Sequence, residues 1–127
     1  MKVLIDTNIV LDVLLDRKPY SKYSEKLFKI AESGQVKAFL TANSVADIVY
    51  ILRKAYDIET IKSNLIIMFE FIKILNVSAS DISKAFQIGS NDFEDAVVIQ
   101  CAVRIDADYI ITRDKEGFRK SPVKSLI

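Results

Sequence analysis

Four aspartates of this chain stand out because of where they fall relative to the predicted strands and helices. Asp6 directly follows a short apolar run, and Asp114 lies just beyond another. Asp47 and Asp95 each fall in the first turn of a predicted helix. Carboxylates that gather in one place can hold a divalent cation, so these four side chains indicate metal-assisted chemistry.

The absence of histidine from the sequence removes several other chemistries. It excludes histidine-based zinc sites, Ser–His and Cys–His nucleophile pairs, and histidine general bases. The single cysteine, Cys101, lies inside an apolar run and is predicted to be a buried thiol. A lone cysteine also excludes an internal disulfide, which is typical of a reducing cytoplasm.

Length and composition predict one soluble cytoplasmic domain that covers residues 1–127. Half of the residues are hydrophobic, enough for a core without disulfides. The first apolar run is broken at Asp6, which argues against a signal peptide, and the longest other run, residues 65–69, is too short for a membrane span. The net charge is +1, so a nucleic-acid partner would need a local basic patch or metal ions.

Short apolar or alternating runs and runs with helical spacing follow one another along the chain. Strands are predicted at residues 3–5, 36–41, 72–77, 109–112 and 123–126, and helices at residues 9–15, 21–32, 45–55, 59–69, 81–88 and 92–105. This alternation implies right-handed crossovers and helices on both faces of a parallel sheet. We therefore expect an α/β fold, a three-layer α/β/α sandwich around a central, mainly parallel sheet of four to five strands.

The predicted topology brings the four aspartates to one edge of the sheet. Ligand sites in open parallel sheets lie beyond the carboxyl ends of the strands, where Asp6, Asp47 and Asp114 fall. The helix that carries Asp95 runs antiparallel to the strands, so its first turn faces the same edge. Taken singly, Asp47 and Asp95 could complement helix dipoles and Asp114 could be a turn residue. A carboxylate that ends a buried strand, as Asp6 does, is costly unless a positive group satisfies it.

Crowded carboxylates repel one another, and hard divalent cations relieve that repulsion. Mg²⁺ and Mn²⁺ prefer oxygen ligands, so a site without histidine suits them better than zinc. Such ions activate water for attack on phosphorus and stabilise the leaving oxygen.

Three segments resemble the PIN-domain family, especially the VapC-type toxin ribonucleases of bacterial toxin–antitoxin pairs. The opening VLIDTNIVLD, residues 3–12, resembles the start of a PIN domain. NDFEDA, residues 91–96, with Ala102 downstream resembles the third motif of the family, and ADYIITRD, residues 107–114, followed by Phe118 is similar to the last motif.

The resemblance implies an endonuclease that cleaves RNA with Mg²⁺ or Mn²⁺ and is paired with an antitoxin protein. Asp6 and Asp95 match the principal metal ligands of the family. Thr7 and Asn8 match the residues that organise the first loop, where either could also cap the first helix. Thr112 matches the hydroxyl that supports the last acid.

Two positions depart from the family pattern. The second motif, LTANSVADI at residues 40–48, offers Asp47 where most relatives have glutamate. Aspartate keeps the charge but reaches one methylene less far. In the last motif Asp114 takes the place of an asparagine, and Gly117 stands before Phe118 where relatives often have aspartate.

Neighbouring charged residues have more than one interpretation. Asp92 is either an additional rim ligand or the cap of its helix, with capping favoured. Asp12 is predicted to lie on the surface or behind the metal ligands. Arg113 and Lys115 flank Asp114 and could contact RNA phosphates, or be two exposed basic side chains.

Two other functions compete with the ribonuclease. A signalling receiver of similar size needs an acidic pair after the first strand and an aspartate at the end of the third, and the sequence has neither. A PIN-like binding or regulatory module, catalytically weakened and acting through a protein partner, stays open because of Asp47 and Gly117.

A protein partner is expected with either function. Aromatic residues on the predicted helices are mostly core residues, but some could form a homodimer face or hold an antitoxin helix. They are Tyr20, Tyr23, Tyr50, Tyr56 and Phe69.

Overall fold

Five strands and six helices follow one another along residues 1–126, the part of the chain that the structure, a computed structural model, describes. Ile127, the last residue of the predicted domain, lies outside the described residues. The elements are β1 (Lys2–Ile5), α1 (Thr7–Leu14), α2 (Ser21–Glu32), β2 (Lys37–Thr41), α3 (Ala42–Leu52), α4 (Ile58–Met68), β3 (Ile72–Leu75), α5 (Ala79–Ala85), α6 (Phe93–Arg104), β4 (Tyr109–Ile111) and β5 (Lys124–Leu126).

The strands form one parallel sheet in the order β3-β2-β1-β4-β5. The first strand of the chain is the centre of the sheet, where Leu4 pairs with Phe39 of β2 on one side and with Ile110 of β4 on the other. The carboxyl ends of these three strands therefore meet at one edge. The predicted α/β fold with a parallel sheet is confirmed.

Two hydrophobic clusters lie on opposite faces of the sheet. Successive side chains of a strand point to opposite faces, so Val3 and Ile5 belong to one cluster and Leu4 to the other. Helices α1 to α4 supply most of the first cluster, and α6 supplies most of the second. This arrangement gives the expected three layers.

The helices after β1 and β2 begin directly where the strands end. Asp6 is the N-cap of α1 and accepts a hydrogen bond from the Thr7 N–H at 2.8 Å. Thr41 is the N-cap of α3 and accepts from the Ser44 N–H at 3.1 Å. The prediction that Thr7 or Asn8 caps the first helix is wrong. An N-cap residue has a non-helical backbone, and Asp6 is the last residue with an extended backbone before the helix begins at Thr7.

Cys101 is fully buried in α6, as predicted. None of the helices within residues 1–126 combines the length and apolar character that a membrane crossing requires.

Candidate active site

Asp6 lies at the junction of β1 and α1 and is held by two hydrogen bonds. It is 8% exposed. Its Oδ1 accepts from the Thr7 N–H at 2.8 Å and its Oδ2 accepts from the Thr112 hydroxyl at 2.9 Å. Burial raises the pKa of Asp6, the two hydrogen bonds lower it, and the charges of Asp114 and Asp92 raise it further, so that the net shift is upward. The raised pKa means that the surroundings of Asp6 disfavour its charged form, which a nearby cation would stabilise.

Thr112 connects Asp6 to the segment after β4. Its buried hydroxyl donates to Asp6 and accepts from the Asp114 N–H at 2.9 Å. The Asp114 carboxylate in turn accepts from the Gly117 N–H at 2.9 Å. A single hydroxyl therefore fixes the side chain of one acid and the backbone of another, the supporting position that the resemblance implies.

Asp95 is brought to the same place by the first turn of α6. Asp92 is the N-cap of this helix and accepts from the N–H groups of Glu94 and Asp95 at 2.9 and 3.2 Å, which confirms the capping interpretation. The pKa of Asp95 is raised to about 7, with burial as the largest cause. The negative charges of Asp92, Asp6 and Asp114 add to the shift. The charges of both acids at the ends of β1 and β4 therefore act on the Asp95 carboxylate.

Gly117 explains how Asp95 and Asp114 come so close. A Cβ placed on Gly117 would lie 2.5 Å from Oδ2 of Asp114 and 2.5 Å from Oδ2 of Asp95, closer than side chains pack in proteins. The two carboxylates therefore border the same point, and any side chain at position 117 would require them to shift. The sequence showed this position only as a departure from the family pattern.

Asp47 lies apart from this group, beside Glu94. The prediction that Asp47 lies in the first turn of its helix is wrong, because α3 begins at Ala42 and Asp47 falls in the second turn. Its charge is the largest cause of the raised pKa of Glu94. Glu94 was assigned no role from the sequence, although its place next to Asp95 in the first turn of a helix was a signal that could have found it.

An open cleft of about 730 Å³ joins these side chains. Six carboxylates belong to its described lining, which contains no lysine or arginine: Asp6, Asp47, Asp92, Glu94, Asp95 and Asp114. A second depression of about 300 Å³ adjoins the first, because Asp92, Asp95 and Asp114 border both. Arg119 and Lys120 line only the second. The acids thus lie between an acidic cleft and a depression with two cations.

The donor set fits a hard divalent cation by its chemistry. It consists of carboxylate oxygens, and the pKa values of Asp6 and Asp95 are raised by burial and by the charges of neighbouring acids. Within residues 1–126, no three acidic or cysteine side chains already lie within reach of one ion. Mg²⁺ does not need three, since it is commonly held by one or two carboxylates and keeps several waters.

Arg113 and Asp12 form an ion pair behind the site. The Arg113 guanidinium donates from Nε and Nη2 to the two carboxylate oxygens of Asp12 at 2.7 and 3.0 Å and lies 3.9 Å from the centre of the Tyr20 ring. Asp12 is fully buried, so the predicted surface position is wrong, and a position behind the metal ligands stays a prediction. The pair anchors the residue between Thr112 and Asp114 to α1.

Thr7 and Asn8 line the cleft and join α1 to its neighbours. The Thr7 hydroxyl donates to Ser44 Oγ of α3 at 2.9 Å. The Asn8 side chain accepts from Nη1 of Arg17 at 3.2 Å. Lys115, the other predicted phosphate contact, is exposed beside Asp114.

The fold and the cleft define a parallel α/β domain with an acidic site at the carboxyl edge of its sheet. Residues 2–116 match the sequence model of the PIN domain, and the chain belongs to that family. The resemblance seen in the motifs is thereby confirmed. No curated protein sequence matches the chain.

Solved structures share the fold at low sequence identity. A chain of VapBC-1 from nontypeable Haemophilus influenzae is 13% identical with a TM-score of 0.76, over 99% of this chain and 97% of that one. A chain of VapBC2 from Rickettsia felis, bound to a DNA fragment from its promoter, is 18% identical with a TM-score of 0.74, over 99% and 98%. VapC20 of Mycobacterium tuberculosis, described as a sarcin–ricin loop cleaving toxin, is 10% identical with a TM-score of 0.68, over 85% and 86%. At these identities the likeness is one of fold.

Proposed function

We propose that this chain is an endoribonuclease that depends on Mg²⁺ or Mn²⁺ and acts as the toxin of a toxin–antitoxin pair. The observation that carries the proposal is the raised pKa of Asp95, about 7, beside Asp6 and Asp114 in a cleft whose described lining has no basic side chain. Asp6 is buried and Asp95 half-buried, and acids crowded in this way ionise together more readily beside a cation. Membership of the PIN family supports the nuclease activity.

Asp6 and Asp95 are the proposed principal metal ligands, with Asp114 and Asp47 as further ligands. These residues would hold a divalent cation, which would supply charge neutralisation for a phosphodiester and would lower the pKa of an attacking water. The charge of Asp47 is not among the causes that raise the pKa of Asp6 and Asp95, whereas it is the largest cause of the raised pKa of Glu94. We therefore assign it contact through water, consistent with its short side chain.

The other residues of the cleft orient these acids and handle protons. Thr112 and the Thr7 N–H hold the two oxygens of Asp6 in place. Asp92 caps α6 and so fixes the turn that presents Asp95. The Glu94 carboxylate, whose pKa is raised by Asp47, is placed to take up the proton that hydrolysis releases.

RNA contacts are proposed at the exposed cations next to the acids. Nε and Nη2 of Arg113 already donate to Asp12, and its side chain is 28% exposed. Lys115 has no such engagement among the described hydrogen bonds and is exposed. We therefore assign the main phosphate contact to Lys115 and a lesser one to Arg113.

An antitoxin is the proposed protein partner, because a solved structure that shares the fold is described as a toxin–antitoxin complex from Klebsiella pneumoniae. The surface has aromatic residues for such a partner or for a homodimer. Of those identified from the sequence, Phe69 is half-buried, whereas four are exposed: Tyr20, Tyr23, Tyr50 and Tyr56.

Calorimetric titration with Mn²⁺ tests the metal site. Wild-type protein should bind Mn²⁺, and Asp6→Ala should abolish binding. Glu25→Gln is the matched control, because Glu25 is an exposed acid of α2 that does not line the cleft. If wild-type protein binds no Mn²⁺ and cleaves no RNA while an active relative does both in parallel, the enzyme proposal fails.

A catalytically weakened module that acts through its partner is the second candidate. The observation in its favour is that no three acidic side chains within residues 1–126 already lie within reach of one ion. A protein that binds an antitoxin but gives no heat with Mn²⁺ would support this candidate over the enzyme.

A further inference from the structure

Two phenylalanine rings stack on each other at the surface near the acidic cleft. The centres of the Phe86 and Phe93 rings lie 4.6 Å apart, with 27° between the ring planes. Phe86 is 73% exposed and Phe93 is 40% exposed, and neither belongs to the two hydrophobic clusters of the core. The pair is therefore not explained by packing of the fold.

Phe93 borders the acids directly. It is the first residue of α6, it immediately precedes Glu94, and it lines the cleft together with Asp95. Phe86 does not line the cleft but covers one face of the Phe93 ring and so restricts its movement. The exposed surface of Phe93 is consequently a pre-oriented aromatic surface beside the acids.

Cationic side chains lie in the depression next to the cleft and beside another aromatic ring that lines the cleft. The Lys120 ammonium donates to the Gly89 carbonyl at 3.2 Å, within the loop that connects the two phenylalanines, and Arg119 lies beside it in the second depression. The exposed Tyr50 ring also lines the cleft, and the Lys54 ammonium lies 5.4 Å from the centre of this ring. Aromatic rings interleaved with cations are typical of grooves that bind single-stranded nucleic acid.

We propose that the Phe93 ring, backed by Phe86, stacks on an unpaired base of the bound RNA and thereby selects which phosphodiester bond reaches the acids. The strand then passes Asp95 and Asp114, and its next phosphates meet Arg119 and Lys120. The inference rests on the proposed ribonuclease function for the identity of the strand. Stacking accepts any base, so Phe93 sets the position of the cut along the strand more than its sequence.

A basic protein segment is the alternative occupant of the same surface. Such a segment would be attracted by the acids but repelled by Lys54, Arg119 and Lys120. An RNA strand has an aromatic face for Phe93 and a negative backbone for the cations, and so satisfies both features at once.

Tryptophan fluorescence can report the stacking, because the chain contains no tryptophan. Phe93→Trp is introduced into Asp95→Asn protein, which keeps the RNA uncut, and is titrated with a short unstructured RNA of mixed sequence. The fluorescence should be quenched as the RNA binds. Tyr23→Trp in the same background is the control, since Tyr23 is exposed on α2 and does not line the cleft, and it should not be quenched.

Affinity and cut position supply the second measurement. In Asp95→Asn protein, Phe93→Leu should weaken RNA binding about tenfold, whereas Phe93→Tyr should restore it, because leucine keeps the bulk but not the stacking. In the protein with Asp95, Phe93→Leu should shift or scatter the cut positions and leave Mn²⁺ affinity unchanged. Thermal melts that match the parent exclude a folding defect.

An unquenched tryptophan together with unchanged RNA affinity of Phe93→Leu would overturn the proposal. The proposal would also be overturned if Phe93→Leu kept its RNA affinity and lost binding to the proposed antitoxin. The two phenylalanines would then form a protein docking surface. Failure of the proposed ribonuclease function can be distinguished from this outcome. In that case wild-type protein cuts no RNA with Mn²⁺, but the fluorescence assay still reports stacking, because it uses the Asp95→Asn protein and does not require cleavage.

Discussion

The hydroxyl of Thr112 donates a hydrogen bond of 2.9 Å to the carboxylate of Asp6 and accepts one of 2.9 Å from the N–H of Asp114. Asp6 ends the central strand β1 and Thr112 follows the adjacent strand β4, so one buried hydroxyl joins the two strand ends that carry the acids. The arrangement of the site thus depends on a side chain that need not touch the metal.

Thr112→Val tests this role, since valine keeps the shape and removes the hydroxyl. Asp6 loses a hydrogen bond and the Asp114 N–H loses its acceptor, so we expect a loss of about 1–3 kcal/mol in the free energy of unfolding. Mn²⁺ affinity should fall as well, because Asp6 is no longer held. Denaturant unfolding and calorimetry measure the two effects, and Thr112→Ser should preserve both. Wild-type Mn²⁺ affinity in the valine variant would show that the hydroxyl does not position Asp6.

Asp95 predicts an unusual pH dependence for the metal-free protein. Its pKa is raised from the ordinary value of 3.8 to about 7, so the folded state binds the proton more tightly than the unfolded state. The resulting stabilisation is complete below about pH 4 and is lost as the pH rises through about 7. The melting temperature should therefore fall across this range, with a shallower fall in Asp95→Asn.

Mn²⁺ supplies the complementary observation. Because the ligand must be deprotonated, Mn²⁺ affinity should increase as the pH is raised past about 7. Saturating Mn²⁺ should then restore the melting temperature that the metal-free protein loses. A metal-free melting temperature that rises over the same interval would contradict the assignment of the raised pKa to Asp95.

Gly117→Ala should disturb the acids more than its size suggests. The added Cβ would lie 2.5 Å from an oxygen of Asp95 and 2.5 Å from one of Asp114, so the carboxylates must separate. We expect weaker Mn²⁺ binding but a loss of no more than about 1 kcal/mol in the free energy of unfolding, because the contacted atoms are the outer ends of side chains that can rotate away. Calorimetry on Glu116→Ala, the neighbouring exposed residue, is the control and should give wild-type affinity. Unaltered binding in Gly117→Ala would mean that Asp95 and Asp114 do not act together.

Asp81 separates the stability of the fold from the chemistry of the site. Its side chain is 1% exposed, and although burial opposes ionisation, hydrogen bonds from Ser78, Gln100 and Arg104 lower its pKa to about 2. Its contribution is present above the ordinary pKa of 3.8 and is lost as the pH falls through about 2. Asp81→Asn should cost roughly 3 kcal/mol at neutral pH, because Arg104 loses its buried partner. The free energy of unfolding should depend less on pH in the acid range, while Mn²⁺ affinity should stay at the wild-type value.

The parts of the fold that depend on local pattern could be predicted from the sequence. The apolar run before Asp6 predicted the central strand. The rule that ligands bind beyond the carboxyl ends of parallel strands, together with the direction of the helix that carries Asp95, predicted that Asp6, Asp47, Asp95 and Asp114 gather at one edge, and all four line the cleft. These predictions need only periodicity and topology. Helix starts were less accurate, because Asp6 caps α1 itself and Asp47 lies one turn farther into α3 than expected.

The contacts that could not be predicted join residues distant in the chain. Arg113 pairs with Asp12 across a separation of 101 residues, and neither has a local pattern that names the other. Gly117 is recognisable as a close approach only once the two carboxylates are seen beside it. Likewise, nothing in the spacing of Phe86 and Phe93 indicates that their rings stack. Phe86 follows the end of α5 and Phe93 begins α6, with a loop between them.

Cleavage of RNA by wild-type protein and by Asp95→Asn, purified side by side, tests the central claim most directly. We predict that wild-type protein cuts RNA into defined fragments with Mn²⁺ and none with a chelator, and that Asp95→Asn produces no fragments above background under either condition. Equal cutting by the two proteins, or cutting by wild-type protein that persists in the chelator, would contradict a metal-dependent nuclease built on Asp95.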